Sequence, residues 1–444
     1  MNEEHDATWQ RLSRDAWAVM LEQEHDARTV INLVASENAQ STLSRLPYLL
    51  DCAHRYYFRA VGSQQDWGFR GGGAVAELEQ GLAVPLLQAA FGAPFISVRP
   101  LSGLSAMLTV FSALGGPPGT ACLTLGAAQG GHSVTVPLAG RLGLDVSTMP
   151  GRGPHELDLD AVTALVARTG AELVYLDQSN ALLPYLDVAA LRAAVDAAGR
   201  GTRIHVDCSH WLGLILGGVL PNPLDSGADS IGGSTHKTFP GPQKGFFATR
   251  SEDVWDRFRA AEGTLISSHH LGGAVSLALA LAEFAGEQGR RYAADVVRNG
   301  RLLGAALSEG GIEVYGADLG YTRGHQLWID PSPLGTGPAD AAERLHRVGI
   351  RVTNLPYLPG FERPSIRLGV HEATHLGLPA EQIPALAELM VAGVRAARPA
   401  EQLAAEVAKL RAGWPTPGGR EDLVRRHLLE LLGDLQPAAA GERG

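Results

Sequence analysis

The sequence predicts an α/β fold with a mostly parallel, seven-stranded type of sheet in a large domain, followed by a smaller C-terminal α/β domain. Between about residues 91 and 250, short apolar runs alternate with Ala-rich helical segments, the pattern of βαβ units. The apolar runs end in small or polar tips, such as Ser-Gly, Gly-Gly-His and Thr-His-Lys. Ligands of open α/β sheets bind at that edge. A chain of 444 residues also exceeds one compact core, so more than one domain is expected.

The predicted organisation has four parts. Residues 1–30 form an N-terminal helical arm, and residues 31–285 form the large, ligand-binding domain. Residues 286–415 form the small C-terminal α/β domain, and residues 416–444 form a C-terminal helix and a flexible tail rich in Pro, Gly and charge. One long Ala- and Leu-rich helix over 272–310 is expected to connect the two domains.

Composition excludes several classes of protein. A net charge of -10 argues against a nucleic-acid-binding surface, which needs clustered Lys and Arg. No apolar run reaches the roughly 18 residues of a membrane span, and the acidic N-terminus has no signal-peptide pattern. The cysteines, Cys52, Cys122 and Cys208, are odd in number and far apart, which favours neither disulfides nor zinc. A cytoplasmic, reducing location is therefore expected.

The first chemical signal is Lys237 in "SIGGSTHKTFPGP", where small and apolar residues surround the amine. An amine that reacts with a carbonyl needs a lowered pKa, and burial in such a setting supplies it. Local composition alone leaves a surface lysine at a strand end equally open.

A second signal is Asp207, which ends the apolar strand of "VDCSHWLGLI" three residues before His210. An aspartate there could pair with the ring nitrogen of a pyridinium cofactor and make that ring a better electron sink. The alternative is a helix N-cap.

Weaker signals complete the set. Ser102 and Gly103 lie where a strand leads into a helix, and Ser234 lies close to the lysine, so these residues could bind phosphate. His132 could cover an aromatic ring, although a lone histidine is often structural. Arg367, inside an apolar strand of the second domain, could clamp a carboxylate or form an ion pair at the core edge.

The run "HEATH", His371 to His375, matches the H-E-x-x-H zinc motif. Zinc binding needs both histidines on one helix face, but this run directly follows a strand and "LGLP" soon ends any helix. No third ligand is evident, so no metal site is predicted.

Taken in order, several stretches resemble the serine hydroxymethyltransferase family, pyridoxal-phosphate enzymes of fold type I, the aspartate-aminotransferase type. They are "INLVASEN", "PLSGLSAM", "QGGHS", "VDCSHWLGLI", "STHKTFPGPQKG" and "SIRLGV". The likeness covers roughly residues 20–414, and the lysine segment with its distant aspartate is its most specific part. The resemblance implies the cofactor pyridoxal 5'-phosphate and a homodimer with shared active sites.

The resemblance also implies residue roles. Lys237 would hold the cofactor as a Schiff base, Asp207 would pair with the pyridine nitrogen, His132 would stack on the ring, and His210 would bond near its phenolic oxygen. Four residues would surround the phosphate: Ser102, Gly103, Ser234 and His236. Two would hold the substrate carboxylate, Ser36 and Arg367, and Tyr56 would be a catalytic tyrosine kept from the family pattern.

Several departures from the family pattern lie at positions that bind folate, or act in the folate-dependent step, in that family. Phe58 stands in place of an acid/base glutamate, a group usually worth about 10²–10⁴ in rate. Phe69 and Arg70 replace two tyrosines, while Ala127 and Ser133 replace leucines that pack the folate.

Further changes lie near the phosphate. Gln243 followed by Lys244 replaces a family arginine, and His269-His270 replaces a Gly-Gly pair that takes phosphate from the neighbouring subunit. Arg70 and Lys244 could face a second substrate or be surface charges.

These observations predict a folate-independent aldolase or transaldolase that breaks or makes the Cα–Cβ bond of a β-hydroxy-α-amino acid through a glycyl quinonoid. Threonine or serine would be the donor and an aldehyde the acceptor. Two alternatives stay open: a tetrahydrofolate-dependent serine or α-methylserine hydroxymethyltransferase, and a non-catalytic pyridoxal-phosphate-binding regulator.

Overall fold

The structure is a computed structural model that describes residues 3–59, 67–183, 187–414 and 421–434. The α-helices are α1 (Glu3–Thr29), α2 (Thr42–Arg45), α3 (Val84–Phe91), α4 (Gly103–Leu114), α5 (Thr135–Arg141), α6 (Leu159–Thr169), α7 (Val188–Ala197), α8 (Leu212–Leu216), α9 (Glu252–Leu265), α10 (Leu271–Phe284), α11 (Glu287–Glu309), α12 (Pro338–Arg347), α13 (His371–His375), α14 (Ile383–Arg395), α15 (Ala400–Ala412) and α16 (Glu421–Asp434). The strands are β1 (Ile31–Asn32), β2 (Tyr57–Arg59), β3 (Trp67–Arg70), β4 (Phe95–Ser97), β5 (Ala121–Thr124), β6 (Asp145–Thr148), β7 (Gly151–Gly153), β8 (Glu156–Leu157), β9 (Leu173–Asp177), β10 (Arg203–Asp207), β11 (Ser230–Ser234), β12 (Gly245–Thr249), β13 (Glu313–Val314), β14 (Gln326–Asp330), β15 (Ile350–Arg351), β16 (Thr353–Leu355) and β17 (Ser365–Gly369).

A seven-stranded sheet in the order β4-β12-β11-β10-β9-β5-β6 forms the centre of the large part of the chain. The run from β11 to β6 is parallel throughout, and β12 is antiparallel to both of its neighbours. The central strands β9, β11 and β12 are buried along their whole length, and β10 is buried except at Arg203. Strands covered on both faces favour continuous apolar runs, such as "LVYL" in β9. The predicted fold class is confirmed.

A four-stranded antiparallel sheet in the order β13-β14-β17-β16 lies in the C-terminal part, with α11 and α14 packed against each other beside it. The short strand β1 pairs in parallel with β15, so the segment after the N-terminal helix reaches this second region. These elements match the predicted α/β character, whereas the exact division into domains stays a prediction.

The predicted long helix over 272–310 is wrong, because the chain forms two helices there, α10 and α11. Gly286 separates them with φ 81° and ψ −142°, a conformation that residues with a Cβ rarely adopt. The Ala/Leu pattern continues across Gly286, so the helical periodicity of the sequence gives no sign of the break.

Both ends of the chain contain helices where the sequence predicts them, α1 and α16. The expected tail after α16 and the segment 415–420 lie outside the described residues. Among the helices that the structure describes, none is long and apolar enough to cross a bilayer.

Candidate active site

A cavity of about 260 Å³ opens where β9, β10 and β11 end and α4 begins. Its wall contains eight residues that the sequence predicts: Ser102, Gly103, His132, Asp207, His210, Ser234, His236 and Lys237. Seven further residues complete the lining: Leu104, Met107, Val134, Asp177, Gln178, Ser179 and Ser209. The carboxyl edge of the parallel sheet therefore brings together most of the predicted site.

Lys237 follows β11 by three residues and lies partly buried in the cavity wall. Burial lowers the pKa of its amine to about 8, although the nearby carboxylate of Asp207 opposes this shift. Distant residues hold its backbone: the Asn38 amide donates to the Lys237 carbonyl at 2.6 Å, and the Tyr292 hydroxyl donates to the Thr238 carbonyl at 2.6 Å. The surface-lysine alternative is thereby excluded, and the amine suits attack on a carbonyl.

Asp207 ends β10 with a donor on each carboxylate oxygen. The Tyr175 hydroxyl donates to Oδ2 at 2.9 Å, and the Ser209 N–H donates to Oδ1 at 2.8 Å. Gly233 has φ 132°, and a Cβ there would lie 2.7 Å from Oδ1, so only glycine leaves room for this carboxylate. Donors to both oxygens stabilise an ionised carboxylate.

His132 is positioned by a tight glycine loop. Gly130 has φ 81°, and a Cβ there would lie 1.9 Å from the Asn180 carbonyl oxygen, so the loop packs directly on the chain after β9. The Val134 N–H donates to His132 Nδ1 at 3.2 Å, which leaves Nε2 to carry the proton of a neutral ring. Burial, and next the charge of Lys237, lower the pKa of His132, so the ring is neutral near pH 7.

The N-terminus of α4 forms the predicted anion pocket. Ser102 caps this helix, since its Oγ accepts from the Ser105 N–H at 3.1 Å. Gly103 lies so close to Ser234 that a Cβ would approach the Ser234 Cβ to 2.9 Å. Among the described residues, Ser234 Oγ and His236 Nδ1 are buried without a hydrogen-bond partner. A helix N-terminus with unused polar atoms suits a phosphate.

His210 begins a row of three buried imidazoles that sequence reasoning missed. Its Nδ1 lies 3.2 Å from His325 Nε2, and His325 Nδ1 lies 3.0 Å from His371 Nδ1. His371 Nε2 donates to the Glu37 carbonyl at 2.6 Å, so this histidine of the "HEATH" run is held in the hydrogen-bonded row. Burial lowers the pKa of all three rings. His325 is a single residue directly before β14, with no motif to mark it.

Arg367 lies outside the lining of the cavity, on β17, and is 8% exposed. Its Nη1 donates to Asn180 Oδ1 at 2.6 Å and to the Ser179 carbonyl at 3.2 Å. No carboxylate in the described part of the chain forms a salt bridge with Arg367, and burial is the cause that shifts its pKa, which removes the ion-pair alternative. Burial lowers its pKa to about 10. A buried guanidinium without a counter-ion suits a substrate carboxylate.

Ser36 and Tyr56 also lie outside the cavity lining. Ser36 is partly buried in a turn whose neighbouring backbone bonds to β17, through the Gly369 N–H to the Leu33 carbonyl at 2.8 Å. Tyr56 is 49% exposed, with its ring 5.4 Å from that of Phe69. Within one chain, neither residue joins the cluster around Lys237.

Of the departures from the family pattern, Arg70, Ala127, Ser133 and Gln243 are exposed, and the Phe58 side chain lies outside the described residues. His270 is exposed in a left-handed conformation, φ 52°, at the start of α10.

Lys244 corrects a prediction, because it is neither a surface charge nor a group facing a second substrate. It is 2% exposed, and its Nζ donates to the carbonyls of His269 at 2.7 Å and Arg99 at 3.3 Å. Nearby, His269 Nε2 lies 2.6 Å from Glu79 Oε2, and Arg99 Nε lies 3.5 Å from Glu79 Oε1. The four side chains form a largely buried polar cluster that links the segment before α10 to the loop before α4.

The tip of β9 contributes polar groups that sequence reasoning did not assign. Asp177 Oδ1 and both amide atoms of Gln178 are buried without a hydrogen-bond partner in the described parts of the chain. In the sequence, Asp177 reads as the last residue of an apolar strand. Polar atoms left unpaired in a cavity wall indicate a polar ligand.

The unpaired hydroxyl of Ser234 and the helix terminus fit a phosphate, Asp207 fits a protonated ring nitrogen, and the Lys237 amine fits an aldehyde carbon. Together, fold and site define the class as a pyridoxal-phosphate enzyme of fold type I.

The particular family follows from comparison with known proteins. The family model for serine hydroxymethyltransferase matches residues 10–390, and this chain belongs to that family. The family membership confirms the cofactor predicted from the sequence, pyridoxal 5'-phosphate, and an enzyme of the transferase or lyase type.

Relatives with two activities are similar to this chain. An L-threonine:uridine-5'-aldehyde transaldolase from Streptomyces sp is 43% identical over 82% of this chain and 88% of its own length, and one from Amycolatopsis sp is 41% identical over 80% and 85%. A serine hydroxymethyltransferase from Methanocella arvoryzae is 35% identical over 79% and 82%. The crystal structure of L-threonine transaldolase from Pseudomonas fluorescens, in the internal aldimine state, matches with a TM-score of 0.84 and 26% identity, covering 97% of this chain and 99% of that one.

Proposed function

We propose that this chain is a folate-independent transaldolase, which cleaves the Cα–Cβ bond of L-threonine and joins the glycyl unit to an acceptor aldehyde. One observation carries the proposal: relatives named as threonine transaldolases are 38–43% identical, whereas the hydroxymethyltransferases compared with it are 34–36% identical. A nucleoside 5'-aldehyde is the acceptor class to test first, since it is the one printed in the names of those relatives.

The cofactor supplies an electron sink for the pair of electrons released when the Cα–Cβ bond breaks. Lys237 holds it covalently through an amine whose pKa burial has lowered to about 8. Asp207 keeps the ring nitrogen charged, since the donors from Tyr175 and Ser209 stabilise its ionised form. His132 would cover the ring face, and the α4 terminus with Ser234 would hold the phosphate, since all of them line the cavity.

Arg367 orients the amino acid by its carboxylate. Asn180 and the Ser179 carbonyl already hold one side of the guanidinium, so little freedom is lost when a carboxylate binds the other side. Ser36, on the adjacent segment, supplies a further hydroxyl. A fixed carboxylate directs the Cα–Cβ bond and excludes substrates that lack this group.

Transfer between two aldehydes needs a proton to move between the hydroxyl oxygen of the amino acid and the carbonyl oxygen of the aldehyde. His132 suits this role, because the Val134 N–H occupies its Nδ1 and the neutral ring presents a donor at Nε2. His236, whose buried Nδ1 has no partner among the described residues, belongs to the phosphate pocket. His210 would hydrogen-bond near the phenolic oxygen of the cofactor.

The assembly is proposed to be a cytoplasmic homodimer with shared active sites. The exposed apolar side chains of α1, which include Trp9, Leu12, Trp17 and Met20, support burial against a second copy. Tyr56, remote from the cavity of its own chain, would then serve as a catalytic group in the site of its partner. A sedimentation measurement giving a monomer would contradict the dimer.

The cytoplasmic location is supported by the three cysteines, which are free and buried, as suits a reducing compartment.

The test is product analysis of the cofactor-loaded protein with L-threonine and a nucleoside 5'-aldehyde, with and without tetrahydrofolate. The proposal expects a new β-hydroxy-α-amino acid whose yield folate does not change. Family membership also favours a second candidate, a serine hydroxymethyltransferase. Serine cleavage that requires tetrahydrofolate, without a threonine-derived product, would establish that candidate instead.

A further inference from the structure

Two carboxyl groups lie side by side at the mouth of the parallel sheet. Asp177 and Asp207 are direct partners in the register of β9 and β10, whose backbones lie about 4.8 Å apart. Asp177 is 3% exposed and Asp207 is 8% exposed, and both line the same cavity. Two buried negative charges at this distance repel each other strongly.

The hydrogen bonds of the two groups differ. Asp207 receives a donor on each oxygen, from Tyr175 and Ser209. Asp177 receives both of its donors on Oδ2, from the Thr135 hydroxyl and from the His132 N–H at 3.2 Å. Its Oδ1 is buried with no partner in the described ranges, and no Lys, Arg or His side chain there forms a salt bridge with Asp177.

We propose that Asp177 is a neutral carboxylic acid that positions the His132 loop through Oδ2 and donates a hydrogen bond from Oδ1 into the cavity. Asp207 is then the ionised member of the pair, and the two carboxyl groups together hold one proton. The ligand of Oδ1 is an oxygen acceptor of the bound cofactor or amino acid, so the inference rests on the proposed function of this cavity.

Burial explains why the proton resides on Asp177. Burying an ionised oxygen without a hydrogen-bond donor costs much more free energy than burying a neutral hydroxyl that donates to an acceptor. The other ionisable groups around the cavity are Lys237, His132, His210 and His236, and the imidazoles are neutral near pH 7. Burial, with the charge of Asp207 added to it, raises the pKa of Asp177 well above its ordinary value. When the environments of two titratable groups push their pKa values apart, the group with the higher pKa carries the proton and the other is ionised.

The direct test is infrared difference spectroscopy of the cofactor-loaded protein against its Asp177→Asn variant at neutral pH. We expect a positive band of a protonated carboxylic acid that shifts in D₂O. A difference spectrum with only the bands of an ionised carboxylate overturns the proposal. Because this readout does not depend on turnover, a protein that shows the band yet forms no product from threonine refutes the proposed function and leaves the ionisation of Asp177 established.

The second test compares matched substitutions by the absorbance titration of the lysine–cofactor linkage. Asp207→Asn removes a negative charge together with the ring-nitrogen proton that this charge holds, so the midpoint changes. Asp177→Asn removes no charge and leaves the midpoint in place, and an equal shift of the midpoint in both variants would overturn the proposal. Asp177→Ala, which leaves the His132 N–H and the Thr135 hydroxyl without an acceptor, lowers kcat/KM about tenfold or more. Asp177→Asn recovers most of that loss, and a failure to recover it counts against the donor role.

Discussion

The side-chain amide of Asn38 donates a 2.6 Å hydrogen bond to the backbone carbonyl of Lys237. The same Nδ2 lies 3.3 Å from the Tyr292 hydroxyl, which donates to the carbonyl of Thr238. The lysine is thus held from both sides by residues distant in sequence. These bonds fix the backbone from which the Lys237 side chain enters the cavity that Asp207 also lines.

The pKa of Lys237, lowered to about 8, predicts the pH dependence of cofactor uptake. Only the neutral amine attacks the aldehyde, so the rate at which the cofactor-free protein takes up cofactor should rise with pH and level off above about 8. At pH 7 about one molecule in ten is already neutral, far more than for an ordinary lysine of pKa about 10.4. Stopped-flow absorbance measures the rate. Lys237→Ala should give no linkage, and the surface variant Lys409→Ala should behave as the parent.

Gly233→Ala should displace the carboxylate of Asp207. The added Cβ would lie 2.7 Å from Asp207 Oδ1, and φ 132° is itself unfavourable for alanine. Cofactor affinity, measured by dialysis and absorbance, should fall about tenfold or more. Gly218→Ala is the matched control, because Gly218 also has a positive φ, 73°, but faces open space. Equal effects of both substitutions would show that backbone strain alone is responsible.

Arg367→Lys should weaken binding of the amino acid more than it slows the chemical step. Lysine keeps the charge but loses the planar, bidentate donors, so KM for threonine should rise about tenfold or more while kcat changes less. Steady-state kinetics over a range of threonine concentrations separates the two. Arg347→Lys, in an exposed ion pair with Glu343, is the control. An unchanged KM in Arg367→Lys would remove this residue from the substrate site.

Glu79→Gln should destabilise the fold in a pH-dependent manner. Burial alone would raise the pKa of Glu79, but His269, Arg99 and Lys244 together lower it to about 2. A carboxyl whose pKa is lower in the folded state stabilises the fold above its unfolded value of about 4.3, and loses this effect as pH falls toward 2.

Breaking this buried cluster should cost about 3 kcal/mol in the free energy of unfolding near neutral pH. The difference between parent and variant should shrink between pH 4.3 and 2 in denaturant titrations. Glu343→Gln, at a surface pair, should cost less than about 1 kcal/mol throughout. A pH-independent difference for Glu79→Gln would contradict the assigned charge state.

Much of the site could be predicted because its residues lie at strand ends. Lys237, Asp207, His132 and the Ser102 turn follow apolar runs, and parallel topology brings the carboxyl ends of strands to one edge. The sequence therefore predicts their proximity without any knowledge of long-range contacts.

The remaining features depend on contacts that no local pattern records. Asp177 reads as the last residue of a buried strand, and only the register with Asp207 shows that two carboxyl groups meet. His325 and His371 form their row with His210 across different elements. Lys244 follows a Pro-Gln turn and reads as exposed, whereas burial against the carbonyls of His269 and Arg99 is a tertiary effect.

The central claim, transfer of a glycyl unit between aldehydes without folate, is tested most directly by stoichiometry. Acetaldehyde and new amino acid are counted together while the protein turns over L-threonine with a nucleoside 5'-aldehyde. We predict one acetaldehyde per new β-hydroxy-α-amino acid, little free glycine, and no change on adding tetrahydrofolate. Acetaldehyde matched by free glycine, or turnover that appears only with serine and tetrahydrofolate, would contradict the claim.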